Sequence, residues 1–414
     1  MPIDLQLHRV QKLLKLLGNP HHHPKFIHIA GTNGKGSVCA YISHALTASG
    51  IHNGRFNSPH LVTPRDSIQC DNHPVSEYIY NTSKAHVQKT NDEFNIGCTD
   101  FELLTCTAFE IFSRLTVPIA ILEVGVGGRM DATNVIPAES TLAVGITKIG
   151  LDHQGLLGNT IAEIAYQKVG IFKENVPAII DGTNSEIVLE VARKEALKLN
   201  SQLIIANRAD NDENLEPGLL GDYQLDNVSV AVQILKNIKD SRITDESIKK
   251  GIKDTKWPGR LQLYNFQLKK LDKYKNNNDK AIKMVLDGAH NTQAAIELGK
   301  CLNDMRNDFK SFVFVIGITK GKDVSELFNK LITPNDTVIF TQFNENIEGM
   351  PWIEPTDAQE LSNELKAQKV DCQNNIAISN VNDALIKAIE ISDKTGGRIV
   401  VCGSLYLVAD ILRL

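Results

Sequence analysis

Short runs of apolar residues alternate along this chain with stretches in which apolar residues return every three or four positions. Runs of the first kind mark strands and the second pattern marks helices. Phe26 to Ala30 reads as a strand, and Val38, Tyr41, Ile42, Ala45 and Leu46 after it form the apolar stripe of a helix. Ile119-Ala-Ile-Leu122 is apolar throughout, as a parallel strand covered on both faces requires. Thr141 to Thr147 and Ala178 to Ile180 are further strands, with helical patterns over 160–173 and 185–199. This alternation predicts a doubly wound parallel sheet. Residues 207–218 are polar and read as a surface loop, followed by a helix over about 223–238. Trp257-Pro258-Gly259 then interrupts the pattern and marks a domain boundary. Beyond a Lys/Asn-rich stretch, Lys269 to Lys280, which reads as an exposed insertion, the alternation resumes with strands at Lys283–Leu286, Phe312–Ile316, Thr337–Phe340 and Arg398–Cys402. The expectation is two α/β domains, 1–257 and 258–414.

Length supports that division, because 414 residues exceed what one hydrophobic core ordinarily serves. A net charge of -5 argues against a general nucleic-acid binder. The seven cysteines are scattered without a C-x-x-C pair, which excludes a disulfide framework or zinc knuckle and fits free thiols. No apolar run approaches the roughly 20 residues that span a bilayer. The segment Leu5 to Leu17 is amphipathic and basic, yet it contains no serine and runs directly into the first strand. It reads as a surface helix of the domain, and a cytoplasmic monomer without membrane or nucleic-acid partners is expected.

Gly31-Thr32-Asn33-Gly34-Lys35-Gly36-Ser37 lies between a strand and a helix. There, glycines let backbone N–H groups approach phosphate oxygens, the helix N-terminus favours the anion, and Lys35 reaches the terminal phosphates. Gly36 separates Lys35 from Ser37, so the spacing departs from G-x-x-x-x-G-K-[ST] and leaves open whether Ser37 reaches a metal. Glu123 ends an apolar strand at the crest where α/β folds bind ligands, a sensible magnesium carboxylate. By position alone a solvent-exposed strand end is an equal reading. Gly125-Val-Gly127-Gly128 lacks the third glycine of a dinucleotide fingerprint. Lys168 lies seven after Ile161 and four after Ile164, on the buried stripe of its helix, so it must snorkel, pair or lose its charge.

These blocks together resemble the folate-ligase branch of the Mur ligase superfamily. The resemblance runs through GTNGKGS, Ser58-Pro-His60-Leu, Glu123-Val-Gly-Val-Gly-Gly-Arg129-Met-Asp131-Ala-Thr-Asn134, Leu151-Asp-His153, Gln167-Lys168-Val-Gly-Ile171, Trp257-Pro-Gly-Arg260 and Asp287-Gly-Ala-His290-Asn291, in family order over most of the chain. It implies an N-terminal P-loop ATPase domain like the Mur central domain, carrying the pterin site, and a smaller Rossmann-like C-terminal domain. It also implies an ATP-dependent ligase that phosphorylates a carboxylate and lets glutamate displace the phosphate. The implied cofactors are ATP and Mg²⁺, two ions of it, with a monovalent cation such as K⁺ as a further candidate. Ser58 and Glu123 would hold one Mg²⁺ and His153 a second. Lys168 would be carbamylated, Arg260 would touch ATP phosphate, and Asp287 with His290 would serve the nucleotide and the glutamate side. Gln224 and Asn227 correspond to the adenine region, Ser404 to the glutamate pocket, and Phe101 with Glu102 to the pterin border, with His60 beside Ser58.

The same resemblance separates alternatives. A regulatory GTPase reads guanine with Asn-Lys-x-Asp, and Asn329-Lys330-Leu331-Ile332 lacks the aspartate. A cell-wall Mur ligase needs a UDP-binding domain that thirty residues cannot form. Phe101–Ala108, Gly349–Ile353 and Val401–Leu407 resemble the fungal monofunctional dihydrofolate synthases, which join dihydropteroate to L-glutamate. The Asn33 pattern is shared with bacterial bifunctional enzymes, so that reading stays open.

Overall fold

The computed structural model describes residues 6–211, 215–275, 280–322, 324, 326–345 and 347–414. Residue 5 of the N-terminal segment, 212–214 of the polar stretch and 276–279 of the Lys/Asn-rich stretch lie outside them. The chain divides into two compact units, Met1–Gly218 with Tyr223–Lys256 and Leu219–Asp222 with Trp257–Leu414.

The first unit contains strands β1 Lys25–Ala30, β2 Asn53–Phe56, β3 Ile68–Cys70, β4 His73–Pro74, β5 Ile119–Glu123, β6 Thr141–Ile146, β7 Ala178–Asp181 and β8 Leu203–Ala206. Its helices are α1 His8–Leu16, α2 Lys35–Ala48, α3 Glu77–Glu93, α4 Asp100–Arg114, α5 Gln154–Leu157, α6 Ile161–Lys168, α7 Glu186–Lys198, α8 Gln224–Lys236 and α9 Asp245–Asp254. The strand order is β4-β3-β2-β5-β1-β6-β7-β8, parallel from β2 to β8 and antiparallel through β3 and β4. Central strands β1 and β5 are buried almost throughout, because helices cover both faces of the sheet and bury an apolar cluster on each side. Ile29 of β1 stands opposite Glu123 of β5, so the loop after β1 and the carboxylate ending β5 are neighbours on one crest.

Two local expectations change. Helix α2 is buried on nearly every side, not along one stripe, because α8 and α9 pack on it as well as the sheet. The helical pattern over 160–173 ends at Lys168 and tightens into a 3₁₀ turn at Val169–Ile171. In α1, Val10, Leu13 and Leu14 are fully buried, so this helix is part of the unit's core. No helix among the described residues is long and apolar enough to cross a membrane.

The second unit carries β9 Gln262–Gln267, β10 Ala281–Leu286, β11 Phe312–Ile316, β12 Thr337–Phe340, β13 Asn374–Ala377 and β14 Arg398–Cys402. Its helices are α10 Thr292–Met305, α11 Leu327–Leu331, α12 Ala358–Ala367, α13 Val381–Thr395 and α14 Leu405–Arg413. The order β13-β12-β11-β14-β10-β9 is parallel except for β9, which pairs antiparallel at the edge. In the stretch expected to be an exposed insertion, Leu268 at its edge and Leu271 within it are buried, while Lys269, Lys270, Lys273 and Lys275 are exposed.

Candidate active site

The loop leaving β1 is drawn onto the end of β6. The N–H groups of Thr32 and Asn33 donate to Lys148 O, at 2.9 and 3.2 Å, and Thr147 Oγ1 donates to Asn33 O at 2.7 Å. Gly34, the N-cap of α2, supplies no side-chain cap, so the first-turn N–H groups of a fourteen-residue helix remain for an anion. Gly34 has φ +91°, and a Cβ there would collide with Asn227 Oδ1. Lys35 folds back over the loop: its Nζ donates to Thr32 O at 3.1 Å and lies 3.9 Å from Glu123 Oε1. The ammonium and the carboxylate thus face the same space above the helix start.

Ser37 turns away from that space. It is buried, and its Oγ accepts a hydrogen bond from Gln224 Nε2 at 3.4 Å; Gln224 Oε1 in turn accepts from Asn227 Nδ2 at 3.0 Å. Gln224 and Asn227, expected near adenine, are buried against the phosphate loop and brace it. Gly36 lies within the first turn of α2.

Lys168 ends α6, and its Nζ donates to Gly31 O at 2.7 Å. Burial pulls its pKa from the ordinary lysine value to about 7, with the Lys35 charge adding to the effect and Asp152 and Asp131 opposing it. His153 has a left-handed backbone, φ 51°, at the start of α5, and its half-exposed ring has Nε2 3.8 Å from Asp152 Oδ2. Among the described residues no group of three or more His, Cys, Asp or Glu side chains lies close enough to hold a metal ion.

The residues expected near the pterin and the first Mg²⁺ lie around the ends of β2 and β5. Ser58 follows β2, and its Oγ is buried without a hydrogen-bond partner among the described residues; His60 is buried on the same loop. The Phe101 ring sits against Gly125, where a Cβ would come within 2.5 Å of Phe101 Cζ, and lies 6.1 Å from the Phe56 ring. Glu102, expected at the pterin border, accepts from Thr99 N at 2.6 Å, capping α4, and from Arg9 Nε at 3.0 and 3.2 Å.

Three further groups in this region, Asn57, Asp131 and Lys173, had no role assigned from the sequence. Asn57 Nδ2 donates to Glu123 Oε2 at 2.8 Å. Asp131 pins the glycine turn, accepting from Val126 N at 2.9 Å, while its other oxygen accepts from Thr133 Oγ1 at 2.6 Å. Burial raises the Asp131 pKa against those hydrogen bonds. Lys173 Nζ donates to Asn134 Oδ1 at 2.8 Å, and burial brings it down to about 8. Asp131 was legible as part of a motif. Asn57 offered no signal beyond its place before Ser58.

In the second unit the expected residues gather at the ends of β10 and β14. Asp287 accepts from Leu261 N and Ala289 N, both at 2.8 Å. Burial raises its pKa, and the Arg260 charge is the largest opposing influence. Gly288 N donates to Gly259 O at 2.9 Å, which sets the Arg260 turn beside the Asp287 loop. His290 Nδ1 is 2.8 Å from Gly288 O. Ser404 caps α14 by accepting from Tyr406 N, and Gly403 N donates to Ala289 O, both at 3.0 Å.

Residues 269–414 match the family described as the C-terminal domain of dihydrofolate synthetase. Over its full length the chain is 38% identical to a dihydrofolate synthetase of Saccharomyces cerevisiae, covering 98% of that protein. Among solved structures it is similar to E. coli FolC in complex with DHPP and ADP, with a TM-score of 0.82 and 25% identity over 100% of this chain and 94% of that one. It is also similar to a bifunctional folylpolyglutamate synthase/dihydrofolate synthase from Yersinia pestis complexed with AMPPNP and Mn ion, with a TM-score of 0.80 and 26% identity over 100% and 94% of the two chains. A doubly wound unit with a phosphate loop beside a strand-end carboxylate, a second α/β unit with its Asp-Gly-Ala-His crest, and full-length identity at this level lead to one statement: the chain belongs to the dihydrofolate synthetase and folylpolyglutamate synthase family.

Proposed function

We propose that this chain uses ATP to join L-glutamate to 7,8-dihydropteroate, giving dihydrofolate, ADP and phosphate through an acyl phosphate. The observation that carries this reading is the pairing of Lys35 with Glu123 at the uncapped start of α2. The first-turn N–H groups and Lys35 would bind the phosphates, and the Lys35 ammonium would stabilise the phosphoryl group as it moves to the pteroate carboxylate. Attack by the glutamate amine then forms the amide and expels phosphate.

The residues fit a divalent cation. Glu123 offers a buried carboxylate and Ser58 a buried hydroxyl without a hydrogen-bond partner among the described residues, both hard oxygen donors suited to magnesium. When bound, Mg²⁺ supplies neutralisation of charge on the transferring phosphate. His153 would serve a second ion; no residue set is assigned to a monovalent cation. Burial favours the neutral amine of Lys168, the form that adds to CO₂ with loss of a proton to give a carbamate. In the second unit Arg260 would contact ATP phosphate, Asp287 with His290 the nucleotide and glutamate side, and Ser404 the glutamate. Phe101 and His60 would border the pterin-bearing substrate. We expect the protein to act on these small molecules as a monomer in the cytoplasm.

A second reading, a bifunctional enzyme that also extends tetrahydrofolate, is favoured by Asn33 and by the likeness to the Yersinia enzyme. Measuring ADP release with Mg²⁺ while omitting each substrate in turn tests the ligase reading. Sustained release should require both dihydropteroate and glutamate, and equal release without the acceptor would point to a simple ATPase. Equal rates with tetrahydrofolate as acceptor would favour the bifunctional reading.

A further inference from the structure

Asn57 stands at the end of β2, one residue before Ser58, and is 4% exposed. Its main chain is fixed by Asn57 N donating to Ser67 O at 2.9 Å. Its side chain reaches the end of β5, where Nδ2 donates to Glu123 Oε2 at 2.8 Å. A carboxylate only accepts hydrogen bonds, so chemistry dictates which end of the amide faces it. The other end, Oδ1, must therefore point away, and it is buried with no hydrogen-bond partner among the described residues. Ser58 Oγ, on the next residue, is in the same condition. Among the described residues neither oxygen has a hydrogen-bond partner, and Oδ1, which can only accept, is open to a donor from outside the chain.

The occupant follows from the donor set, the Glu123 carboxylate and the Ser58 hydroxyl, with the Lys35 and Arg55 charges beside them. Glu123 turns Oε1 toward Lys35 at 3.9 Å while Asn57 holds Oε2, so the carboxylate has one definite orientation. A hard cation bound beside it would keep several of its waters, and those waters are donors. We propose that Asn57 is a positioning residue for the cation site: it fixes the Glu123 carboxylate, and its Oδ1 accepts a hydrogen bond from a water carried by the cation. This inference rests on the assignment of Glu123 and Ser58 as cation ligands above. Partners that orient a ligand and hold its waters typically account for about 10- to 100-fold in metal affinity.

The experiment is a titration of the full-length protein with Mn²⁺ in the presence of ADP, following free Mn²⁺ by electron paramagnetic resonance. Asn57→Leu removes both hydrogen bonds, Asn57→Ser is a smaller polar replacement should the first fail to fold, and Glu123→Gln is the control. Both Asn57 variants should bind Mn²⁺ about 10- to 100-fold more weakly, with metal-free ADP affinity close to that of the parent. If Glu123→Gln loses Mn²⁺ while both Asn57 variants bind it as the parent does, the positioning role is wrong and the ligand assignment stands. If Glu123→Gln binds Mn²⁺ normally, the ligand assignment fails and the role of Asn57 falls with it.

Discussion

Lys168 is an amine held where water barely reaches, 4% exposed, with Gly31 O as its hydrogen-bond acceptor. Its pKa falls from 10.5 to about 7. Between those values the unfolded chain holds a proton that the folded one lacks, so folding stability should rise with pH across that window. Below about 7 both states are protonated and the contribution is flat at its least favourable level. Denaturant unfolding from pH 6.5 to 10 in CO₂-free buffer should therefore show the parent gaining stability relative to Lys168→Met, whereas parallel curves would contradict the assignment. Lys35→Ala should lose on the order of 10²-fold or more in turnover, since a cation facing the transferring phosphoryl group is removed while the core is untouched. Steady-state kinetics with an unchanged circular dichroism spectrum would check it. These two lysines were legible for physical reasons: one interrupts an apolar stripe and the other sits in a glycine loop after a strand. The inward turn of Ser37 was not, because its partner Gln224 lies 187 residues away in sequence. The Glu102–Arg9 pair is hidden in the same way, across 93 residues.

At the scale of elements, the buried parallel strands were readable because both faces are covered and the runs are wholly apolar. Strand β2 was not: Asn-Gly-Arg-Phe buries Asn53 and Arg55, whose polarity masks the strand. Edge strands β9 and β13 carry exposed or polar positions and were missed for the opposite reason, whereas β8, Leu-Ile-Ile-Ala, is wholly apolar and was legible but passed over. The Trp-Pro-Gly interruption was legible, but its backbone was not. Gly259 has φ +73° and its N–H donates to Gln262 Oε1 at 3.0 Å, so proline there would break the turn. Helix α1 gives a prediction of its own. Arg9 grips the N-terminus of α4 through Glu102, and the next residue back, Phe101, packs on the glycine turn that follows Glu123. Arg9→Ala should raise the KM for dihydropteroate by about fivefold, equivalent to an ion pair of about 1 kcal/mol, and leave the KM for ATP unchanged. Equal changes in both constants would mean the strap only stabilises the fold.

For the whole molecule, each unit has the same plan, a mostly parallel sheet with its chemistry-bearing residues at the C-terminal ends of central strands. The first unit gathers Lys35, Glu123, Ser58 and Lys168 around the ends of β1, β2 and β5. The second gathers Arg260, Asp287, His290 and Ser404 around β10 and β14. That division was legible from the restart of the βα pattern after residue 257, while the transfer of Leu219–Asp222 to the second unit was not, since four residues carry no periodicity. The central claim is that a single glutamate is ligated to dihydropteroate with stoichiometric cleavage of ATP. The most direct measurement incubates the protein with Mg²⁺, ATP, dihydropteroate and isotopically labelled L-glutamate, and follows ADP together with the mass of the pterin product. One labelled dihydrofolate should form per ADP, and no product when glutamate is withheld. ADP accumulating without a labelled pterin, or label entering only when tetrahydrofolate replaces dihydropteroate, would contradict that claim.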